Sequence, residues 1–255
     1  MFSKIKNLSN NIIMSIDKSK LSDLFQAHDK DHIDKDAPIL KGTKGASIAI
    51  IGKKRTGKSS LILSLLSHKK LYGGHFGNIF LISPSSGDGK MGELIRELSE
   101  QDKYFKELTE ANIEKILNII KHEIDAKKQK EKKTGKKLPE IYNLLIMDDV
   151  ISDIGKSFKS KITKLFLNQR HYNLTTILVS QAYPLIPLGI RKNFDIMHIF
   201  PMTNLKEKEA IQNDFDIPDQ VFDLLEENEA DHPFLTVNVV GSKPKFFLKM
   251  DRINI

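Results

Sequence analysis

The most informative segment of the chain is Gly52-Lys53-Lys54-Arg55-Thr56-Gly57-Lys58-Ser59, which fits the pattern G-x-x-x-x-G-K-[S/T]. An apolar run at residues 46–51 precedes it, and an apolar helix candidate at residues 61–66 follows it. The two glycines let the backbone curl so that its N–H groups face a phosphate. The stretch predicts a phosphate-binding loop between a buried strand and a helix. The alternative is a Gly-rich turn that matches by chance.

The residue types of this loop suit ATP with Mg²⁺ as cofactor. A helix that begins near Lys58 presents the positive end of its dipole to the phosphates. We expect Lys58 to reach the β- and γ-phosphates and to act in catalysis, and we expect the Ser59 hydroxyl to ligate the metal ion. The predicted nucleotide-binding residues are Gly52, Lys53, Lys54, Arg55, Thr56, Gly57, Lys58, Ser59 and Ser60.

A second apolar run, at residues 143–147, ends in two carboxylates, Asp148 and Asp149. Carboxylates at the end of a buried strand are costly to desolvate unless a cation or metal accompanies them. We predict that Asp148 holds Mg²⁺ through water and that Asp149 is the general base for the attacking water. Many related ATPases carry Glu at the second position, and Asp is one methylene shorter. The alternative is a strand followed by an Asp-capped helix.

Short apolar runs alternate with helical periodicity from Ala46 onward, which predicts an α/β fold with a mostly parallel central sheet and helices on both faces. A hairpin is predicted at the C-terminus around a turn at residues 241–244. The predicted strands cover residues 46–51, 78–83, 143–147, 175–180, 196–200, 234–240 and 245–250. The predicted helices cover residues 58–67, 92–98, 112–126 and 157–172, with a left-handed cap at Asn173.

This order of elements resembles the RecA-like (ASCE) branch of three-layer P-loop NTPases, in which a strand is inserted beside the acidic one. Strand 175–180 would then lie between the phosphate-loop strand and the acidic strand. Gln181 follows it directly, so its amide is predicted to lie near the γ-phosphate as a sensor or a water-positioning group. A polar residue at a strand end is common, and that is the alternative.

Arg170 ends a predicted helix just before this strand. An arginine in that place can reach the nucleotide site of a neighbouring subunit and stabilise transition-state charge. It can equally interact with the last carbonyls of its own helix. Arg191 is a second candidate for the trans-acting role, and His171 is expected to pack or cap rather than catalyse.

The positive charge of the chain is concentrated in one stretch. The net charge is +7, and residues 121–137 carry eight lysines against three carboxylates. Because this stretch precedes the acidic strand while Asp148 follows it, the lysines belong at the sheet edge opposite the nucleotide, a strand length of ~17 Å away. The stretch predicts either a contact with DNA, where each neutralised phosphate adds affinity, or a solvated and partly disordered loop.

Composition excludes several classes of protein. The 255 residues contain no cysteine, so disulfides and cysteine-ligated zinc are excluded. No apolar run approaches the ~20 residues of a membrane-spanning helix, and the N-terminus lacks a secretory signal, so no membrane partner is expected. We predict a polar N-terminal arm at residues 1–42, with one short helix at Leu21, Leu24 and Phe25, and an ATPase domain at residues 43–255 that includes the hairpin.

The motifs together resemble the FtsK–HerA superfamily of P-loop ATPases. Within it they are most similar to the genome-packaging ATPases of poxviruses, giant DNA viruses and virophages. The phosphate loop is shared widely, whereas Asp148-Asp149-Val150 followed by Arg170-His171 ahead of a strand that ends in Gln181 is more particular. The resemblance covers residues 41–200, so the N-terminal arm and the hairpin lie outside it.

The resemblance implies a homo-oligomeric ring of five or six subunits that pumps double-stranded DNA into a preformed capsid. It implies ATP and Mg²⁺ as cofactors, a capsid or portal vertex as partner, and a location in the host cytoplasm (viral factory) or the virion. Two other readings remain open at this point. One is a small-molecule P-loop kinase or NTPase, although no acceptor lid and no guanine motif is found. The other is a DNA-binding assembly protein with a structural ATP site.

Overall fold

The computed structural model of the chain describes residues 37–84, 89–150 and 156–253. The described residues all belong to one compact unit. The helix predicted around Leu21 and most of the predicted N-terminal arm lie outside the described residues. Within the described ranges, no helix is both long and apolar enough to cross a lipid bilayer.

The centre of the fold is a nine-stranded sheet with the order β3-β2-β4-β5-β1-β6-β7-β8-β9. Strands β1 to β6 pair in parallel, and β7 to β9 extend the β6 side in antiparallel fashion. The strands are β1 (Ser47–Ile51), β2 (Asn78–Ile82), β3 (Tyr104–Phe105), β4 (Asn143–Asp148), β5 (Leu174–Ser180), β6 (Ile196–Ile199), β7 (Leu235–Asn238), β8 (Lys245–Leu248) and β9 (Asp251–Ile253).

Helices connect the parallel strands. They are α1 (Lys58–Ser67), α2 (Gly92–Glu100), α3 (Glu110–Thr134), α4 (Lys156–Asn168), α5 (Leu188–Arg191), α6 (Leu205–Phe215) and α7 (Asp219–Glu226). Two 3₁₀ turns, Gln169–Tyr172 and Tyr183–Leu185, lie on either side of β5.

The sheet is covered on both faces because successive strand residues point to opposite sides. Ile48 and Ile50 of β1 join the apolar group that packs under α1 and α2. Ala49 and Ile51 join the group under α3, α4, α6 and α7. All five residues of β1 are buried, which explains why the sequence lacks polar alternation there. The predicted three-layer α/β fold is therefore confirmed.

The predicted order of the sheet is also confirmed. Strand β5 lies between β1 and β4, with Ser47 opposite Thr176 and Asn143 opposite Leu174. The five predicted parallel strands agree with the structure to within one residue at each end. The predicted C-terminal hairpin is present as β7 and β8, and β9 extends it by one strand that the sequence analysis did not predict.

The structure contradicts one of the two predictions made for the lysine-rich stretch. Helix α3 runs for 25 residues to Thr134, so most of the stretch is helical rather than a disordered loop. The helix is capped at both ends: the Thr109 hydroxyl accepts from the Asn112 N–H, and Gly135 closes the other end with φ 66°. Such caps stabilise a helix whose second half buries little apolar surface.

The sequence analysis also missed α5, α6, α7 and β3. Helix α6 begins after Asn204, whose side chain accepts from the Lys206 N–H, and α7 follows Pro218. Strand β3 has two residues, α5 has four, and α6 buries one apolar residue, Ile211. These three elements carry too few apolar repeats to be recognised from periodicity.

Candidate nucleotide-binding site

The phosphate loop leaves the carboxyl end of β1 and enters α1. The Gly52 N–H donates to the Ser180 carbonyl at 3.1 Å, which ties the loop to the neighbouring strand β5. A Cβ on Gly52 would lie 2.7 Å from the Phe200 Cβ, so a side chain is sterically excluded there. Gly57 has φ 107°, a conformation that favours glycine, and α1 begins at the next residue. Both glycines of the motif are thus required by the local backbone.

Lys58 lies across the loop that precedes it. Its Nζ donates to the carbonyl oxygens of Gly52 and Lys53, both at 2.6 Å. Burial lowers the pKa of the Lys58 ammonium, while the carboxylates of Asp148 and Asp149 oppose that shift. The ammonium therefore sits between the loop and the acidic pair, where it can interact with a bound phosphate.

Asp148 ends β4 and is largely buried. The hydroxyl of Ser83, which follows β2, donates to its Oδ2 at 3.5 Å. Burial raises the pKa of Asp148, the neighbouring Asp149 raises it further, and Lys58 and Ser83 oppose the rise. Ser83 was not singled out in the sequence, although its position directly after a buried strand is the same signal that marked Asp148.

Asp149 and Gln181 contact each other directly. The Gln181 Nε2 donates to the Asp149 Oδ2 at 2.6 Å. The Asp149 backbone has φ 56°, which Asp tolerates better than most residues, and its N–H donates to the Val179 carbonyl at 3.3 Å. Because β4 and β5 are parallel neighbours, their carboxyl ends bring these two side chains together at one edge of the sheet.

These side chains line one hollow at the carboxyl edge of the sheet. Its lining includes Lys58, Ser59, Asp148, Asp149 and Gln181. The hydroxyl and carboxylate oxygens in this set suit Mg²⁺, which usually takes one or two protein ligands and completes its shell with phosphate and water. Ser59 and Asp148 could therefore hold Mg²⁺.

The two candidate arginines have different surroundings. Arg170 is exposed in the 3₁₀ turn before β5, so it lies at the amino edge, ~23 Å along a seven-residue strand from Gln181. Arg191 donates from Nη1 to the Asp214 Oδ2 at 3.1 Å and lies over the Tyr183 ring. His171 is exposed, which contradicts a packing role but leaves a capping role in the last turn of its helix.

A second hollow adjoins the phosphate loop and was not found from the sequence. Lys90 donates to the Ser60 hydroxyl at 2.9 Å, and His232 lies against Gly57. Both residues line the same hollow as Lys58 and Ser59. No motif marks them, because His232 reaches the loop only through the folding of the C-terminal strands beside β6.

The lysine-rich end of α3 lies at the opposite edge. Helix α3 is ~37 Å long, whereas β4 spans ~20 Å, so the helix extends beyond the amino edge of the sheet. Its buried residues are Ile113, Ile116 and Ile120, all in the first half. We call residues 128–137 the lysine tip. Its exposed lysines are Lys128, Lys130, Lys132, Lys133, Lys136 and Lys137.

The fold and this hollow define a P-loop NTPase. The model of one family, described as Poxvirus A32 protein, matches residues 43–216, and the chain belongs to this family. The predicted resemblance to a protein family of poxviruses is therefore confirmed.

Two relatives of this chain come from viruses. A mimivirus protein described as uncharacterized protein L437 is 30% identical over 174 residues, which cover 66% of this chain and 57% of that protein. Uncharacterized protein 075L of invertebrate iridescent virus 6 is 31% identical over 163 residues, covering 63% and 56%. The match therefore spans a little more than half the length of these relatives.

Solved structures share the fold. B204, the DNA-packaging ATPase of Sulfolobus turreted icosahedral virus, aligns with a TM-score of 0.55 and 19% identity over 83% of this chain and 99% of that one. ATPases 2 and 3 of EssC from Geobacillus thermodenitrificans align with a TM-score of 0.53 and 14% identity, over 82% and 41%. At these identities the likeness shows the fold alone.

Proposed function

We propose that this chain hydrolyses ATP with Mg²⁺ to drive double-stranded DNA into a preformed viral capsid, as a homo-oligomeric ring of five or six subunits. The observation that carries the proposal is the convergence of Lys58, Asp148, Asp149 and Gln181 on one hollow next to the phosphate loop. Membership of the Poxvirus A32 protein family and the fold shared with packaging ATPases support it.

The hollow supplies each group that hydrolysis needs. Backbone N–H groups of residues 52–60 and the start of α1 bind the phosphates, and Lys58 neutralises charge on the β- and γ-phosphates. Mg²⁺, held by Ser59 and Asp148, would neutralise the remaining charge. Asp149 accepts the proton of a water molecule that attacks the γ-phosphorus, and the bond from this phosphorus to the β-phosphate oxygen breaks to release ADP. Gln181 holds the Asp149 carboxylate in place for that transfer.

Arg170 is our candidate for a trans-acting arginine. It lies too far along β5 to act on the nucleotide of its own subunit, and its side chain is exposed, so a neighbouring subunit could contact it. Arg191 is less suited because Asp214 already holds its guanidinium within the subunit. The pairing of Arg191 thus favours Arg170 between the two candidates named from the sequence.

The lysine tip is our candidate for a DNA contact. Lys127, next to the tip, pairs with Glu131 and Glu140, and its Nζ is 2.8 Å from the Glu140 Oε2 and 3.7 Å from the Glu131 Oε1. The lysines of the tip itself are exposed, so the end of the helix carries a local surplus of positive charge that suits a polyanion. We place the protein in the viral factory or the virion, with the capsid or portal vertex as the second partner.

The test of this function is a comparison of ATP hydrolysis with and without duplex DNA, together with the mass in solution. We expect DNA to stimulate turnover, and we expect an assembly of five or six subunits of 29.0 kDa. A rate of ATP hydrolysis that duplex DNA does not change would instead indicate a small-molecule NTPase. Binding of ATP without repeated turnover would indicate an assembly protein with a structural nucleotide.

A further inference from the structure

An apolar groove continues from the phosphate loop along α1. It lies between the first turns of that helix and the C-terminal strands, and it is open to solvent on one side. Its apolar lining comes from five residues that are far apart in the sequence, and its remaining lining is Gly57, Ser60, Ser64, His232 and Lys249. The apolar residues are Leu61, Leu71, Phe200, Phe234 and Met250.

The groove is continuous with the phosphate site. Gly57, Ser60 and His232 line both the groove and the hollow that contains Lys58 and Ser59. A triphosphate whose γ end faced Lys58 and Asp148 would place its α end further along α1. The group carried on the α-phosphate would then leave the loop beside Ser60, where the groove begins.

The C-terminal segment is held against the loop by several contacts. A Cβ on Gly57 would lie 3.1 Å from the Cβ and Cγ of His232, so the histidine packs directly on the loop glycine. Lys249 donates from its backbone N–H to the Phe234 carbonyl at 2.7 Å and from Nζ to the Asp231 carbonyl at 3.3 Å. These bonds fix the segment that carries His232 to the hairpin.

The lining suits a flat, largely apolar ligand. Phe234 packs against Phe200 with ring centroids 5.5 Å apart and forms the floor, while Leu71 and Met250 are only partly buried and form walls. The imidazole of His232, at the mouth, can stack on a ring. We propose that this groove binds the purine base of the nucleotide. This assignment rests on the proposed ATP site. It extends that site from the phosphates to the base, which the C-terminal strands would contact.

The experiment separates the base from the phosphates by using two probes, ATP and inorganic tripolyphosphate. His232→Ala and Met250→Ala should each weaken ATP binding about tenfold, because they remove packing area from the base. Tripolyphosphate binding should stay within about twofold of wild type for both variants, because its contacts lie on the loop. Phe246→Ala is the matched control, since Phe246 lies on the same hairpin but packs against the other face of the sheet.

Several results would overturn the assignment. An equal loss of ATP and tripolyphosphate binding would mean that the substitutions disturb the loop, and unchanged ATP binding would mean that the base lies elsewhere. Wild-type affinity for CTP equal to that for ATP and GTP would rule out a purine site. Lys58→Ala separates this proposal from the function itself. If that variant weakens both probes while the groove variants weaken neither, only the base assignment fails; if it weakens neither probe, the phosphate site fails as well.

Discussion

The two edges of the parallel sheet are built on different principles. At the carboxyl edge, side chains from three strands meet through short, specific contacts, such as Gln181 to Asp149 at 2.6 Å. At the amino edge, the lysine tip extends into solvent. The ion pair between Lys128 and Asp125 there is long, at 3.9 Å, and exposed. Exposed pairs of this kind contribute little stability.

The two edges are therefore suited to different functions. Bond-breaking chemistry needs groups held to within fractions of an ångström, and the ends of parallel strands supply that precision. Contact with a polyanion of any sequence needs only accessible charge, and a capped helix extending past the core supplies it. Substitutions at the carboxyl edge should therefore act on turnover, and those at the amino edge on affinity for DNA.

The largest effect is expected at Lys58. Lys58→Ala should abolish ATP hydrolysis, because the ammonium lies beside the carboxylates of Asp148 and Asp149 and is the group proposed to neutralise the β- and γ-phosphates. The fold should be unchanged, as judged by circular dichroism and thermal unfolding, since among the described residues the hydrogen bonds of Lys58 go to two loop carbonyls. Residual turnover near the wild-type rate would break the assignment of the carboxyl edge.

The next effect is expected at the proposed base. Asp149→Asn should retain ATP binding but slow turnover by at least ~100-fold, the scale of lost acid–base catalysis. Asn preserves the shape and can still accept from Gln181, so the loss isolates the proton transfer. Single-turnover kinetics check it, and a variant that binds and hydrolyses normally would assign the base to another residue.

Arg170 tests whether the amino-edge residue of one subunit serves the carboxyl edge of another. Arg170→Ala and Lys58→Ala subunits should each be inactive alone, and a mixture should recover part of the wild-type rate because some interfaces pair an intact Arg170 with an intact loop. Arg191→Ala, mixed in the same way, is the comparison. A mixture that stays inactive would argue against the trans-acting role.

A smaller effect is expected at the lysine tip. Changing Lys130, Lys132 and Lys133 to Gln should weaken duplex DNA binding about tenfold at low salt and flatten its salt dependence, because fewer phosphates are neutralised. Basal ATP hydrolysis should not change, and Gln keeps a helix propensity close to that of Lys. The control changes three exposed lysines elsewhere, Lys106, Lys164 and Lys206. Equal losses in both variants would mean that overall charge, not the tip, binds DNA.

The smallest effect is expected on the stability of the sheet, at the buried His198 in β6. Its Nδ1 lies 2.8 Å from the Thr236 Oγ1, which itself donates to the Lys249 carbonyl, so Nδ1 carries the proton and donates. The buried Nε2 has no partner among the described residues. Burial lowers the pKa of His198 to about 3. The imidazole is therefore neutral in the folded protein at all working pH values.

Because the folded-state pKa of His198 lies below the unfolded value of ~6.5, the unfolded chain binds the extra proton as pH falls. The contribution of His198 to the free energy of unfolding is therefore fully present above pH ~6.5 and is lost as the pH falls below it. The loss between pH 7.5 and 6.0 should be ~0.8 kcal/mol of unfolding free energy. His198→Asn keeps a donor without titrating, so its pH dependence in urea unfolding should be smaller by this amount. Identical pH dependence would contradict the account.

Much of the carboxyl edge could be predicted because its residues directly follow buried strands. Parallel strands bring their carboxyl ends to one edge, so Asp148, Asp149 and Gln181 had to converge once the strand order was right. Ser83 obeys the same rule and was missed only because a serine carries a weaker signal. His232 and Met250 could not be found in this way, since they reach the loop through antiparallel strands whose pairing leaves no motif.

The parallel sheet, the glycine-rich loop at residues 52–59 and the two carboxylates after β4 could be predicted without the structure, because a tight glycine turn and a carboxylate after an apolar run are local features of the chain. The structure was needed to show that the C-terminal strands lie against one side of the candidate nucleotide site and that the lysine stretch is a helix extending past the sheet. It also decided that Arg191 is paired within the subunit. These features depend on which distant segments share a surface, and packing free energy across the whole core, rather than local propensity, makes that choice.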